Sequence, residues 1–428
     1  MPSPQIPPVA PARRRDFFPV TLAAATSLLA YVALHWTGIG MTDDSWAYWQ
    51  GAVSLATGQG YTYFDGSRIE AWPPLYPAYL ALWVRVAGPH GWVLTTATGL
   101  LIVLQAALWL RLLRTLAADS SVAGTQATWT LVAVFVGLFV AGHERYPFAQ
   151  GLLYVVLPLF LDATWRIVVR GEQRGLQAVA LGVLLPLTHT TGLAFLAAAA
   201  ALVALSTPRA PRRLVLAVSL VIVPAVAWAG VRLALGQAGS HCVGWGVGRY
   251  APLEYAMQLF TGPGRTLVPD RFGLATLAGI ALWFAALVLS LGPAGRGFVR
   301  FATGYCALVA PALFALFNLA WIYAPIGGRF VLFMPLLLVP AVGLALAGRA
   351  PRPAAGLLAL LLLPQLYWLG VWTLEARDAD AQLARQPTGF MPHDGYATRD
   401  HRSGPPLRQG NRVLIAPDPE AQTSGNCR

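Results

Sequence analysis

Long apolar runs alternate with short polar segments along most of this chain. Each of the longer runs holds about 20 residues, the length of an α-helix that crosses a lipid bilayer. The longer runs are 17–39, 91–113, 126–142, 148–169, 214–235, 274–291, 301–323, 329–347 and 355–374. The shorter ones are 176–187 and 192–205, interrupted by Thr188-His189-Thr190-Thr191. The pattern predicts an all-α polytopic membrane protein with about eleven transmembrane helices.

Composition supports a membrane protein and argues against a nucleic-acid-binding one. Of the 428 residues, 56% are hydrophobic and 11% are charged, whereas roughly a quarter of a soluble domain is charged. The formal net charge is +12. The basic residues of the chain are all arginines. They lie in short segments between apolar runs and do not form a soluble basic domain, so no nucleic-acid partner is predicted. A β-barrel is excluded because a run such as 357–363 does not alternate.

The arginines also predict how the chain is oriented. Arg13, Arg14 and Arg15 precede the first apolar run, which is too long for a signal-peptide core, so the N-terminus is predicted to be cytoplasmic. The segments then assigned to the inside hold fifteen arginines, against eight in the outer loops. We expect a multi-pass protein of the bacterial inner or plasma membrane, with an extracytoplasmic C-terminus because the number of spans is odd.

The predicted organisation has three parts. Residues 1–16 form a cytoplasmic tail, residues 17–374 the transmembrane domain, and residues 375–428 an extracytoplasmic tail. The tail is polar, with one strand-like run at 412–416, and has too few apolar residues to hold much of a core. The transmembrane part includes a first outer loop, 40–77, and a long outer loop, 236–272.

The first outer loop carries two adjacent carboxylates, Asp43 and Asp44, at the mouth of a span. Because an ionised acid in hydrocarbon costs at least a few kcal/mol, the pair is predicted at the water interface or in a wet cavity. Residues 44–56 follow as a short amphipathic helix that we expect to lie in the membrane plane. Its apolar stripe is Trp46, Trp49, Val53 and Ala56. Glycines and Pro73-Pro74 then redirect the chain.

This loop resembles the first outer loop of a known group of enzymes. The acidic pair, Tyr48, a glycine-rich aromatic stretch and the segment 73–77, Pro-Pro-Leu-Tyr-Pro, are similar to that loop in the GT-C superfamily. These are membrane glycosyltransferases that take a sugar from a polyprenyl-phosphate carrier. The resemblance is strongest to the protein-mannosyltransferase and aminoarabinose-transferase-like clan, including its RgtA/B/C/D-like members.

Three later stretches fit the same resemblance in order. They are His143-Glu144-Arg145, the break Leu187-Thr-His-Thr-Thr-Gly192, and Gly328-Arg329-Phe330 up to Pro335. Two positions depart from the family pattern. His189 stands where an arginine is common, and Asp44 stands where a glutamate is often seen.

The resemblance implies roles for the acidic residues. Asp43 corresponds to the family's first acid and would be the general base for the acceptor hydroxyl. Asp44 would orient the acceptor, tune the pKa of Asp43 or help to hold a cation. Both acids could instead only cap a helix that starts at Ser45, since Asp is favoured there. Glu144 is a candidate for acceptor contact or a metal, or simply for an ion pair with Arg145.

The remaining candidates concern the donor. Arg329 could stabilise the leaving polyprenyl phosphate with its forked guanidinium, or be a snorkelling arginine at the interface. His189 could face the donor phosphate, or be a hydrogen-bonded intramembrane histidine. The aromatic candidates are Tyr48, Trp72 and Tyr76, which could stack on the sugar or prenyl chain or belong to the interfacial aromatic belt.

The predicted function is an inverting glycosyltransferase. It would transfer a sugar from a polyprenyl-phosphate donor to an extracytoplasmic hydroxyl of a glycan, lipid or protein, without a covalent sugar intermediate. A transporter or flippase of lipid-linked sugars is the second hypothesis, and it would require matching broken helices in two halves of the chain. A non-catalytic membrane scaffold is the third. A divalent cation stays open, because oxygen ligands at these spacings are unspecific.

Overall fold

The structure is a computed structural model. It describes residues 17–35, 43–70, 72–122, 124–143, 147–206, 210–237, 263–264, 267, 273–292, 297–319, 328–385, 407–409 and 412–415. Within these ranges, only the backbone is described for 43, 317–319, 328–329, 375–385 and the two short strands. The molecule in this part of the chain is a bundle of helices.

The helices follow the apolar runs closely. They are α1 Phe18–His35, α2 Asp43–Ala56, α3 Leu75–Ala87, α4 Gly91–Asp119, α5 Gln126–His143, α6 Ala149–Val168, α7 Gly175–Thr188, α8 Gly192–Ser206, α9 Pro211–Ala234, α10 Leu274–Leu291, α11 Phe298–Leu319, α12 Gly328–Val331, α13 Phe333–Ala347 and α14 Pro351–Arg385. The all-α membrane fold is thus confirmed.

Within the described ranges, eight helices are long and apolar enough to cross a bilayer. They are α1, α4, α5, α6, α9, α10, α11 and the first part of α14. The predicted count of eleven adds α7, α8 and α13, which are apolar but only 14 or 15 residues long. That count stays a prediction. The candidate span in α14 ends at Leu374 as expected, and the helix then continues through polar residues to Arg385.

One large core joins most of the helices. Helix α1 packs against α4 and α5, α6 packs against α4 and α7, and α8 packs against α9 and α11. Helices α1 and α5 approach closely because Gly137 has no side chain. A Cβ at that position would lie 2.7 Å from the carbonyl oxygen of Ala23. Such contacts by small residues drive helix association in lipid, where apolar burial itself gains little.

The outer helices expose apolar side chains to their surroundings. Helix α9 is the clearest case, because only 17% of its most apolar window is buried. Its exposed residues include Leu214, Val215, Val218, Ile222 and Val226. A face this apolar and this long is stable in lipid and would be costly in water. The protein is therefore an integral, multi-pass membrane protein.

The helix ends that were predicted to be inside gather at one end of the bundle. Here Arg170 donates hydrogen bonds to Asp119 and, at 3.2 Å, to Glu172. The indole N–H of Trp165 donates to Asp119 at 2.7 Å. Arg213 donates to Ser206 at 2.6 Å where α8 turns into α9. We call this the arginine end, and the opposite end, which carries α2 and α3, the acidic-loop end.

The C-terminal tail forms a small hairpin in the part that the structure describes. Strand β1, Leu407–Gln409, pairs antiparallel with β2, Arg412–Ile415. The second strand coincides with the strand-like run predicted at 412–416. The division of the chain at residues 16 and 374 stays a prediction.

Candidate active site

The acidic pair opens a helix. Helix α2 begins at Asp43, so Asp43 and Asp44 occupy its first two positions, where the helix dipole favours negative charge. The helix thus starts one residue earlier than the sequence predicts. Asp44 is half-buried. Because only the backbone of Asp43 is described, its contact with a substrate stays a prediction.

Helix α2 differs from the expected one-sided helix. Trp46, Trp49 and Val53 are buried as predicted, but so are the polar residues Ser45 and Gln50. The helix is therefore covered on more sides than its apolar stripe. The physical reason is that the following loop folds back over the helix and covers the side that α3 does not.

The covering loop is a small hairpin held by backbone and side-chain hydrogen bonds. The N–H of Tyr63 donates to the carbonyl of Ser67 at 2.8 Å, and the N–H of Phe64 donates to the side-chain oxygen of Gln50 at 3.0 Å. Gly51 allows close packing, because a Cβ there would lie 2.6 Å from the Tyr61 ring. The loop is thus fixed onto the helix that bears the two acids.

An aromatic cluster supports this arrangement. It consists of Trp46, Tyr48, Trp49, Phe64, Trp72, Tyr76, Tyr79, Trp83 and Phe148. The ring of Tyr48 packs edge-on against Trp72 at 5.7 Å and against Tyr76 at 5.3 Å between ring centroids. Tyr48 and Tyr76 are fully buried, whereas Trp72 is half-buried. Of the three predicted aromatics, Trp72 is the one with surface left for a sugar or prenyl chain.

Tyr63 lies close to the acids, although the sequence did not single it out. Burial raises the pKa of Tyr63 to about 12, and the charges of Asp65, Asp44 and Glu70 add to the rise. A hydrogen bond with the side chain of Trp72 acts in the opposite direction. Tyr63 is therefore a protonated phenol at neutral pH, beside the second acid of the pair.

The predicted break between two short helices is a compact turn. Helix α7 ends at Thr188, the backbone of His189 is extended, and the N–H of Gly192 donates to the carbonyl of His189 at 2.8 Å. The imidazole of His189 is buried, with 8% exposed. Both ring nitrogens have protein neighbours: Nδ1 lies 2.8 Å from the Thr191 hydroxyl, and Nε2 lies 3.2 Å from the side-chain amide of Gln150.

The first turn of α6 joins the histidine break to the acidic loop. Phe148 and Ala149 pack into the aromatic cluster beneath α2 and α3, while Gln150, the next residue, reaches His189. The phenyl ring of Phe330 lies 5.7 Å from the imidazole of His189, between ring centroids. The backbone of Arg329 directly precedes this contact in the chain. Three sequence motifs, far apart in the chain, meet at the acidic-loop end.

The other predicted residues are placed only by their neighbours. The side chain of Arg329 is not described, but the residue is the second of α12, next to Phe330. Glu144 lies outside the described residues, between the end of α5 and the start of α6. Its orientation and that of Arg329 stay predictions.

A metal site is one of the predictions for the acidic residues. The described side chains contain no group of three or more His, Cys, Asp or Glu that could hold an ion. Asp43 and Glu144, two of the three predicted oxygen ligands, have no described side chains. The divalent cation therefore stays an open prediction.

The fold and site define a polytopic α-helical membrane protein with an acidic loop and a buried polar centre at one end. No protein-family model matches the chain, and no curated protein sequence matches it. Eight chains in solved structures match the fold, and two of them are described below. One is the arabinosyltransferase EmbB from Mycobacterium smegmatis, at 16% identity and a TM-score of 0.42. The other is ArnT from Cupriavidus metallidurans bound to undecaprenyl phosphate, at 18% identity and a TM-score of 0.42.

The two alignments differ in how much of each neighbour they include. They cover 90% of this chain and 43% of EmbB, and 87% of this chain and 81% of ArnT. This chain thus spans less than half the length of EmbB. At identities of 16% and 18%, the two neighbours are similar to this chain in fold alone. At this degree of similarity they do not decide the reaction, which depends on the residues of the site.

Proposed function

We propose that this protein is an inverting glycosyltransferase that uses a polyprenyl-phosphate sugar. It transfers the sugar to a hydroxyl of a glycan, lipid or protein acceptor on the extracytoplasmic side. The observation that carries the proposal is the meeting of the acidic helix α2, the His189 break and the segment beside Arg329 around the first turn of α6. A glycosyl transfer needs an acid–base group and a phosphate-binding group within one substrate length of each other.

Asp43 is the general base in this proposal. A carboxylate at the start of a helix stays ionised at neutral pH because the dipole stabilises its charge. It can then accept the proton of the acceptor hydroxyl as the oxygen attacks the anomeric carbon. Asp44, beside it, orients the acceptor, with the neutral phenol of Tyr63 nearby.

The leaving group is the polyprenyl phosphate. Arg329 is the second residue of α12, next to Phe330 at the same end of the bundle, and an arginine can donate two parallel hydrogen bonds to phosphate oxygens. The C–O bond to phosphate breaks as the acceptor oxygen bonds to carbon from the opposite face, so the anomeric centre inverts. The prenyl chain would lie along the exposed apolar faces of the bundle, in lipid.

The test is transfer by the purified, reconstituted protein. The donor is a radiolabelled polyprenyl-phosphate sugar, and an envelope extract supplies the acceptor. Asp43→Asn should reduce transfer at least a hundredfold, since general base catalysis contributes about 10²–10⁴ in rate. Donor binding should be retained. Asp65→Asn is the matched control, because Asp65 lies in the same loop, is exposed, and accepts hydrogen bonds from Ser67 that Asn can also accept.

Two results would contradict the proposal. Unchanged transfer by the Asp43→Asn protein would end the assignment of the base. Movement of labelled lipid across vesicles without its consumption would instead indicate a flippase. Mass analysis of envelope glycans from a deletion strain would identify the acceptor class.

A further inference from the structure

Gln150 is a buried polar residue at the centre of the site that the motifs did not include. Only 2% of its surface is exposed, and its side-chain oxygen has no hydrogen-bond partner among the described residues. Its side-chain nitrogen lies 3.2 Å from Nε2 of His189. A buried amide oxygen without a partner is costly, so this position calls for a physical explanation.

The hydrogen bonds of His189 fix which ring nitrogen carries the proton. The backbone N–H of Thr191 donates to Nδ1 at 3.2 Å, so Nδ1 must present a lone pair. The Thr191 hydroxyl can donate to the same nitrogen at 2.8 Å. A neutral imidazole with a lone pair on Nδ1 carries its proton on Nε2. His189 is therefore a donor through Nε2, and its neighbour must be an acceptor.

This tautomer also fixes the orientation of the Gln150 amide. The two ends of an amide have nearly the same shape, and the hydrogen-bond network decides which is oxygen. When Oε1 of Gln150 points toward His189, the Nε2–H of the imidazole donates to it. Gln150 then has no oxygen without a hydrogen-bond partner. The amide NH₂ of Gln150 then occupies the position of the unpartnered atom, and its two buried N–H donors need an acceptor there.

The surroundings of that NH₂ group favour an anion. Gln150 lies in the first turn of α6, a helix of 20 residues, and Thr191 directly precedes α8, a helix of 15 residues. The positive ends of two helix dipoles thus meet at the Gln150–His189 pair. Arg329 lies one residue before Phe330, which contacts His189.

We propose that Gln150 contacts the donor phosphate, donating its side-chain N–H groups to an anionic oxygen, and that His189 is the positioning residue that orients this amide. The inference rests on the proposed function and deepens it. His189 thus acts as a neutral hydrogen-bond donor inside the protein, while Gln150 faces the phosphate of the polyprenyl carrier.

The replacement Gln150→Glu separates a ligand contact from a structural role. A carboxylate still accepts the Nε2–H hydrogen bond of His189, so the replacement keeps the contact that a structural role needs. If Gln150 faces the phosphate, the carboxylate has no donor for it and repels it. We expect the affinity of the reconstituted protein for undecaprenyl phosphate to fall at least tenfold. Gln177→Glu, the same exchange at the arginine end, should leave the affinity unchanged.

Two variants of His189 test the positioning role. His189→Leu removes the Nε2–H donor and should weaken undecaprenyl phosphate binding, because the Gln150 amide is then free to turn. His189→Gln retains an N–H donor at nearly the same distance and should restore part of the affinity. Melting temperatures of all variants identify any loss caused by unfolding. A folded His189→Leu protein with wild-type affinity would overturn the positioning role.

The outcomes also distinguish this inference from the proposed function. If the wild type and a folded Gln150→Glu protein bind undecaprenyl phosphate equally, the inference is wrong and the glycosyltransferase proposal stands. A second outcome is that the wild type transfers sugar, while the Gln150→Glu protein has a lower turnover but the same affinity for undecaprenyl phosphate. In that case too, Gln150 does not contact the phosphate. If the wild type neither binds the lipid nor transfers sugar, both proposals fail.

Discussion

At the acidic-loop end, the chemistry of single residues depends on the side chains that pack around them. Tyr63 is an ordinary tyrosine in the sequence, yet its burial beside Asp44 makes it a much weaker acid. His189 stands where the resembled family often has arginine, and here Gln150 and Thr191 occupy both of its nitrogens. The sequence therefore identified where polar chemistry lies, while the protonation states depend on neighbours.

Tyr63 should make the protein sensitive to alkaline pH. Because its pKa is raised from about 10 to about 12, folding favours the protonated phenol. This contribution to stability is fully present below pH 10 and is lost as the pH rises through about 12. Between pH 8 and pH 11, the melting temperature of the wild type should fall more than that of Tyr63→Phe. Equal falls in the two proteins would refute the expectation.

At the scale of elements, the short helices depend on tight backbone approaches. The break between α7 and α8 closes because residue 192 is glycine. A Cβ there would lie 2.4 Å from the carbonyl carbon of Leu185 and 2.6 Å from the nitrogen of Pro186. Backbone atoms cannot move aside as a side-chain tip can, so the turn that presents His189 requires this glycine.

Gly192→Ala should destabilise the protein by about 1–3 kcal/mol, the usual cost of overpacking. It should also weaken donor binding, because the turn carrying His189 must open. Gly230→Ala is the control, since Gly230 lies inside α9 and a Cβ added there would meet no atom within 4 Å. At position 230, alanine should leave the stability of the protein unchanged or raise it by up to about 1 kcal/mol. Thermal unfolding in detergent measures both effects, and a Gly192→Ala protein as stable as the control would contradict the expectation.

At the scale of the whole molecule, two polar ends hold the bundle together. At the arginine end, Asp119 accepts hydrogen bonds from Trp165 and Arg170, which belong to a segment about 50 residues later in the chain. At the acidic-loop end, the side chain of Gln237 donates to the carbonyl of Ile69 at 2.6 Å and ties the end of α9 to the first loop. Distant parts of the chain thus meet at both ends.

Arg170→Ala should therefore cost about 1.5–3 kcal/mol of stability, the range for hydrogen bonds to charged groups. The side chain of Asp119 is only 14% exposed and would lose its cationic partner. Arg174→Ala is the comparison, because Arg174 is more exposed and its ion pair with Glu172 should contribute less than about 1 kcal/mol. Denaturation of the two variants in the same detergent measures the difference in stability. Similar losses of stability would show that the hydrogen bonds from Arg170 to Asp119 contribute no more than the exposed ion pair.

The orientation of the bundle can be tested by cysteine labelling. Gln59 and Gln173 are both exposed, at the acidic-loop end and the arginine end respectively. The positive-inside rule predicts that a cysteine at Gln59 reacts with a membrane-impermeant maleimide in intact cells. A cysteine at Gln173 should react only after permeabilisation. Both variants need a background without the native cysteines, and the reverse labelling pattern would place the acidic pair in the cytosol.

The helices and the class of protein follow from the order of the amino acids alone. Apolar runs of bilayer length form helices wherever they occur, since hydrocarbon leaves the backbone no other partners. The helix bounds therefore agree with the runs to within a few residues in most cases. The acidic loop and the break before Gly192 were also found in this way, because polar residues between such runs are conspicuous, whereas the segment around Arg329 was found through the family resemblance.

Which of these segments touch depends instead on how the whole chain packs. Helix α2 is covered on both sides because a loop folds over it, and local periodicity carries no information about that loop. Gln150 meets His189, 39 residues away, because α6 and α7 pack together. Such contacts arise from the shapes of several helices at once, whereas helix formation depends on neighbours in the chain.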